Sequence, residues 1–484
     1  MSGRKLSWLG FGLLATAGAS LMGLTSVMHA AFAYGDDTAL VMGGSGIPVP
    51  PPIYVDAAND LYLHLPTGSV QPLTTPEGLY PLTGVNSLQL DSSVAQGETT
   101  LNNAIMQQIA DGNHVDVFGY SQSADISSLE MSQLAADGVP SSDVSFTLVG
   151  DEMNPNGGIE ERFVGLSFPS FGQTYGGATP SDPYPTDIYT IEYDGFADFP
   201  RYPIDVLSDL NADLGGIYEH FAYLDLTPEQ VSGTVDLGTF GDTTYYMIPA
   251  DSLPLLDPLQ LIPVIGQPLY DLLEPDTAIL VNLGYGSITQ GWDTENPPDV
   301  PTPFGLFPTD INPADLVTAL LQGAQQGITD AIAQLQDPAN YQLTPLLDNP
   351  SLQQLFAGFH TAGLLPTDQP TLLQLVDAFS TLGNGGSPIT PPANIIDAFT
   401  GAVSYDLGVL KPLVDNALAF GITLPQYDAT LFVDGLQSGN LVDAIGLPIA
   451  ADIGLVPYQL LFDGLFPIVE AGATTISEFA DLIP

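Results

Sequence analysis

The sequence predicts an α/β fold: a parallel sheet whose strands are joined by crossover helices, followed by a mostly helical C-terminal region. Three observations carry this reading. Short apolar runs alternate with helix-period stretches between 90 and 150. One joint between them, Gly119-Tyr120-Ser121-Gln122-Ser123, is a tight strand-to-helix turn. A proline-rich stretch at 296–311 then separates this pattern from a tail with helical periodicity only. Strand–helix–strand alternation implies parallel pairing, because a strand must cross over the sheet before the next can run the same way.

The elements follow in order. Arg4 and Lys5 precede an apolar run from Leu6 to Met28, and Ala31-Phe32-Ala33 is a small-x-small pattern. Residues 1–33 therefore read as a cleaved signal peptide or a retained N-terminal membrane anchor, either of which places the rest outside the cytoplasm. Thr38 to Met42 reads as a buried strand, and Gly43-Gly44-Ser45-Gly46 follows it. Residues 53–90 are poorly periodic. Ser92 to Ala110 reads as a helix, with Val94, Leu101, Ile105 and Ile109 mostly at helical spacing. A strand over Val115, Val117 and Phe118 leads into the turn at Ser121, and a helix starts at about Gln122. Val144 to Val149 and Ile188 to Tyr193 are further strands; Val206 to Leu224 is helix-like. The apolar, proline-punctuated stretch 251–275 is open between a lid, an acyl groove and ordinary packing. Beyond 296–311, Asn312-Pro313 caps a helix, and further helical runs fall near 370–382, 393–410 and 440–470. Leu441 to Ala473 is very apolar, but Asp443, Asp452, Asp463 and Pro457 argue against a bilayer span.

Composition narrows the function. Among 484 residues, Asp and Glu number 56 against 5 Lys and Arg, a formal net charge of −51. Such a surface repels nucleic acid. Cysteine is absent, and none of the 5 histidines forms a pair at ligand spacing, so no metal and no cofactor is expected.

The turn at Ser121 carries the chemistry. A serine on a sharp strand-to-helix turn has its hydroxyl pushed out of the sheet, and the residues two before and two after must be small. Gly119 and Ser123 meet that demand. The backbone N–H of Gln122 heads the next helix, and Gly44 or Ser45 in the glycine cluster after the first strand is the second candidate oxyanion donor. The late strand runs into Asp194-Gly195-Phe196-Ala197-Asp198. Asp198 is the preferred acid, because Gly195 lets the chain turn before presenting it; Asp194 is the alternative. Of the two histidines that follow Ser121, His220 lies a short loop beyond these aspartates, whereas His360 sits on an apolar helical stretch. Ser121, Asp198 and His220 then stand in the chain order of α/β-hydrolases, with no metal required. The plainer reading of each piece is a Ser-rich turn, loop caps and a packed histidine.

Several motifs together resemble the PE-PPE domain family of exported mycobacterial and related actinobacterial proteins. They are Leu40-Val41-Met42-Gly43-Gly44-Ser45-Gly46, Gly119-Tyr120-Ser121-Gln122-Ser123, Gly150-Asp151 with Pro155-Asn156-Gly157-Gly158, Tyr193 to Pro200, Thr243 to Pro249 and Asn282 to Gly286. The resemblance covers about residues 38–295. It implies a cutinase-like serine α/β-hydrolase at 34–295, with residues 312–484 a helical region of unassigned role. It also implies an acyl-ester lipid or glycolipid substrate, handled by an esterase or lipase, or by an acyltransferase that builds trehalose-type envelope lipids. The alternative of another class is a non-catalytic envelope-binding protein that keeps the fold.

Overall fold

The computed structural model describes residues 37–66, 68–342 and 345–480. The targeting segment expected at 1–33 lies outside them. Seven strands form one sheet: β1 (Thr38–Val41), β2 (Val70–Pro72), β3 (Val115–Tyr120), β4 (Val144–Val149), β5 (Thr186–Ile191), β6 (Val235–Phe240) and β7 (Thr243–Ile248). Their order is β2-β1-β3-β4-β5-β7-β6. All neighbours run parallel except β6, which pairs antiparallel with β7 at one edge.

The parallel strands are apolar because helices cover both of their faces. On one face, α2 (Leu90–Ala110) and α3 (Gln122–Asp137) set Val94, Leu101, Ile105, Ile126 and Met131 against Val115, Val117, Phe146 and Leu148. On the other, α1 (Pro52–Ala58) sets Tyr54 and Val55 against Val41, Phe118 and Tyr120. The sequence between 53 and 90 gave no period for α1, since the helix is only 7 residues long. The order in which strands are added reverses between β1 and β3, where β1 hands on to β2 on one side and β3 to β4 on the other. In open parallel sheets, ligands bind beyond the strand ends at such a switch point.

Helices α4 (Val206–Tyr218) and α5 (Gly266–Asn282) precede the proline-rich segment, and the helical region follows it as α6 (Pro313–Gln336), α7 (Pro350–Thr361), α8 (Leu372–Leu382), α9 (Ile395–Gly408), α10 (Leu410–Leu418), α11 (Leu424–Gln437), α12 (Leu441–Gln459) and α13 (Phe466–Ala480). It shares a core with the sheet-bearing part: Leu424, Leu455, Tyr458 and Phe462 pack with Phe163, Phe168, Phe196 and Phe199. The proline-rich segment is fastened down. Arg162, fully buried, donates to the carbonyl of Thr302 at 2.6 Å, and Thr302 N–H donates to the Pro155 carbonyl at 2.9 Å. Ile395–Gln437 and Leu441–Ala480 are long and apolar enough to cross a membrane, by length and composition alone.

Candidate active site

Ser121 caps α3 with φ 57° and ψ −129°. A non-glycine residue at positive φ is strained, and surrounding contacts must hold it there. Ser123 supplies two: its hydroxyl accepts from Tyr120 N–H at 2.8 Å and donates to the Tyr120 carbonyl at 3.0 Å. Gly119 leaves room for the turn, since a Cβ there would sit 2.6 Å from the Ser123 carbonyl oxygen. The hydroxyl of Ser121 is thereby lifted beyond the end of β3 to the switch point.

His220 follows α4 and reaches back over the sheet. Its Nε2 lies 2.9 Å from Ser121 Oγ, and its Nδ1 lies 2.9 and 3.0 Å from the two carboxylate oxygens of Asp194. A carboxylate accepts, so Nδ1 carries the proton and Nε2 is free to take one from Ser121. Asp194 also accepts from the Tyr223 hydroxyl at 2.7 Å and from Phe196 N–H at 3.0 Å. The imidazole is held from behind as well, with its own carbonyl accepting from the Tyr120 hydroxyl and the Phe196 ring 4.5 Å away. Burial pulls the His220 pKa down, but the negative charge and hydrogen bond of Asp194, with a further contribution from Glu152, outweigh it and hold the imidazole above its ordinary value.

The structure thus sets Asp194, the alternative acid, against His220, and not the preferred Asp198. Asp198 is buried away from His220: one carboxylate oxygen accepts from Tyr193 N–H at 3.1 Å, and the other has no partner. The turn expected of Gly195 is already made at Tyr193, whose φ is 67°. This presents Asp194 directly after β5. Gly195 is small for another reason, since a Cβ there would lie 2.1 Å from the Ala212 carbonyl oxygen as α4 passes. Asp198 then folds beneath, and burial pushes its carboxyl well above the usual range.

The glycine cluster after β1 lies against the serine, with the position of a Gly44 Cβ 3.4 Å from Ser121 Cβ. Gln122 ties the two together, its amide nitrogen donating to Ser45 Oγ at 2.8 Å and to the Gly78 carbonyl at 3.0 Å. Ser93 Oγ donates to the side-chain oxygen Oε1 of Gln122 at 2.6 Å. Gly44, Ser45 and the N-terminus of α3 thus surround Ser121, as backbone donors for an oxyanion must. His360 is elsewhere, with its Nδ1 2.9 Å from the Leu365 carbonyl.

A narrow cavity of about 50 Å³ opens on Ser121 and His220. Ile47, Leu79, Leu82, Phe196 and Phe221 line it together with Leu382 of α8, Phe462 and Phe466 of the C-terminal helices. No residue of 251–275 is among its walls. That stretch packs instead with Tyr193, Val281 and Tyr285. The cavity's one acidic side chain, Glu152, escaped sequence reasoning. It follows β4, and its Oε1 accepts from Ser121 Oγ at 3.1 Å. Its signal was position: like Ser121 and Asp194, it stands just past the C-terminal end of a parallel strand.

A profile of the PE-PPE domain matches residues 66–286. The PPE family protein PPE28 of Mycobacterium tuberculosis is 42% identical over 478 residues, which is 95% of this chain and 70% of the relative. The chain belongs to the PE-PPE domain family. Esterase PE16 of the same organism is 43% identical over 341 residues, 68% of this chain and 63% of the relative. SL1278 acyltransferase Chp1, also from M. tuberculosis, is 33% identical over 199 residues, 40% of this chain and 48% of the relative. The chain thus spans between about half and 70% of these relatives. Its parallel sheet followed by a helical region is the α/β-hydrolase architecture expected from the PE-PPE motifs. Esterase and acyltransferase are the activities in the names of PE16 and Chp1.

Proposed function

We propose that this PE-PPE protein is an exported serine esterase that cleaves acyl esters through an acyl-enzyme at Ser121. The observation that supports it most is the continuous line from Ser121 Oγ to His220 Nε2 at 2.9 Å and from His220 Nδ1 to Asp194 at 2.9 Å. In this reading His220 takes the hydroxyl proton as Ser121 Oγ attacks the ester carbonyl. Asp194 holds the proton-bearing Nδ1 and stabilises the imidazolium. Backbone N–H groups of Gln122 and of Gly44 or Ser45 hold the oxyanion, each worth roughly 3–4 kcal/mol in comparable hydrolases. His220 returns the proton to the departing alcohol, and water then releases the acid by the same route.

The apolar walls of the cavity suit an acyl chain rather than a charged substrate. A second reading, transfer of the acyl group to a sugar hydroxyl, is favoured by the acyltransferase names of Chp1 and of Chp2, a diacyltrehalose acyltransferase 33% identical over 84 residues. Hydrolysis is preferred because the esterase-named relative aligns over more of the chain. The proposal includes export through residues 1–33, a hydrolase region at 34–295 and a helical region at 312–484.

The test is Ser121→Ala against wild type, with fluorophosphonate labelling and release of p-nitrophenol from an acyl ester. Both signals are expected to vanish in the variant. Labelling that persists means another nucleophile. A wild type that neither labels nor turns over favours a non-catalytic binding protein. Incubation of a long-chain acyl donor with and without trehalose then separates free acid from acylated sugar.

A further inference from the structure

Behind Ser121 lies a second group of side chains that the proposed reaction does not use. Asp125, in the first turn of α3, Glu152, after β4, and Glu160, in the short helix Ile159–Arg162, each bring a carboxylate oxygen within 4.8 Å of the others. All three are at least nine-tenths buried. Asp125 is the telling member: both of its oxygens are shut from solvent and neither has a hydrogen-bond partner. Glu160 accepts one hydrogen bond, from Gly176 N–H at 3.0 Å, and Glu152 accepts one from Ser121. A buried, unpartnered carboxylate is costly, and two more beside it raise that cost.

Among the described residues, no Lys or Arg side chain answers it. Arg201 pairs with Asp293 and Glu295, and Lys411 with Asp415. Arg162 directs its guanidinium to Phe199, Asn156 and Thr302. An entrance is present, however. A cavity of about 210 Å³ reaches Asp125 and Glu160 between α2 and the segment at 174–176, with Asp91 and Glu98 on its walls. Those two acids would draw a cation inward.

We propose that Asp125, Glu152 and Glu160 form a binding site for a divalent, oxygen-seeking cation of the calcium class. Calcium takes carboxylate and water oxygens at about 2.3–2.6 Å, so oxygens on opposite sides of one ion stand roughly 4.6–5.2 Å apart. The three oxygens here all lie within 4.8 Å of one another, under the upper limit for oxygens that share one such ion. Magnesium requires a tighter octahedron, with about 4.2 Å across, and keeps most of its waters. The absence of cysteine and of a histidine pair, which argues against zinc, says nothing against such an ion. Water in the cavity completes the coordination, and the ion ties the elbow helix α3 to the loop after β4.

The test uses the full chain, stripped with EDTA and dialysed into 0.15 M KCl, because a protein of charge −51 binds calcium loosely over its surface. Calorimetric titration with CaCl₂ is expected to show one ion per chain bound above the diffuse background, and a higher Tm with calcium than with EDTA. Asp125→Asn and Glu160→Gln should each lose that ion and the calcium-dependent rise in Tm. In EDTA, Asp125→Asn should unfold no lower than wild type, since a neutral amide replaces a carboxyl that burial and the neighbouring acids disfavour ionising. Equal calcium stoichiometry and equal Tm response in wild type and variants overturn the site. If the variants do not fold, terbium-soaked wild-type crystals decide: an anomalous peak among the three carboxylates supports it, and no peak there overturns it. None of these readouts uses ester turnover, so the site stands or falls apart from the esterase proposal.

Discussion

At the scale of single residues, the sharpest test separates Asp194 from Asp198. Asp194 is the carboxylate on His220, and it is further held by Tyr223 and Phe196. Asp194→Asn should lower kcat by about a thousandfold or more, because an amide no longer fixes the tautomer that leaves Nε2 able to accept. Asp198→Asn keeps the shape of a carboxyl that burial already disfavours ionising. Its turnover should stay within the same order as wild type. Steady-state kinetics on folded variants check both, and the opposite ranking would remove Asp194 from the mechanism. A pH–rate profile adds to this. His220 must be neutral to accept a proton, and its pKa is held above the ordinary 6.5. The acid limb of kcat/KM should therefore have its midpoint above pH 6.5, with activity falling as pH drops through it. Ser121 and His220, which the structure places 2.9 Å apart, stood out in the sequence because a tight turn and a scarce residue type mark them. It preferred Asp198 where the structure sets Asp194 beside His220, because whether a chain turns at Tyr193 or at Gly195 depends on how closely α4 passes. Glu152 carried no local pattern at all; only the sheet brings the end of β4 beside the end of β3.

At the scale of elements, the strands and crossover helices were legible from periodicity, and the wall of the cavity was not. A helix with an apolar stripe declares that the stripe is covered, not what covers it. So 251–275, the stretch that looked most like a lid, lies against Tyr193 and Tyr285, while α8 and α13, remote in sequence, close over Ser121. The cavity of about 50 Å³ has room for only a few waters, so a fatty chain needs these helices to give way. Leu382 sits where that movement matters, at the end of α8 and on the cavity wall. Leu382→Trp should raise KM for long-chain p-nitrophenyl esters while leaving acetyl ester turnover near wild type. A chain-length series measures it. Uniform loss across all lengths would mean that α8 supports the fold rather than the acyl path.

At the scale of the whole molecule, the excess of acid extends into the interior. Glu77 and Asp213 are pushed up to about 8, and Asp463 to about 7, each by burial. An unfolded chain releases those protons near pH 4. Between about pH 4.5 and 8, the folded state thus holds protons that the unfolded state has lost. Stability then falls as pH rises, because the state with more bound protons is favoured at the acid end. Net negative charge, already −51 at pH 7, repels itself more strongly in the same direction. In EDTA, Tm at pH 5.5 should exceed Tm at pH 8.0 by at least about 5 °C, the effect of a few kcal/mol on a chain of this size. Asp213→Asn places a permanently neutral group where the folded state prefers one. It should raise Tm at pH 8.0, change it little at pH 5.5, and so flatten the dependence. A wild type more stable at pH 8.0 would mean that these carboxyls are ionised and paired in the native protein. A chain with so few basic residues has little to pair them with, which is why its acid interior should favour mildly acidic conditions.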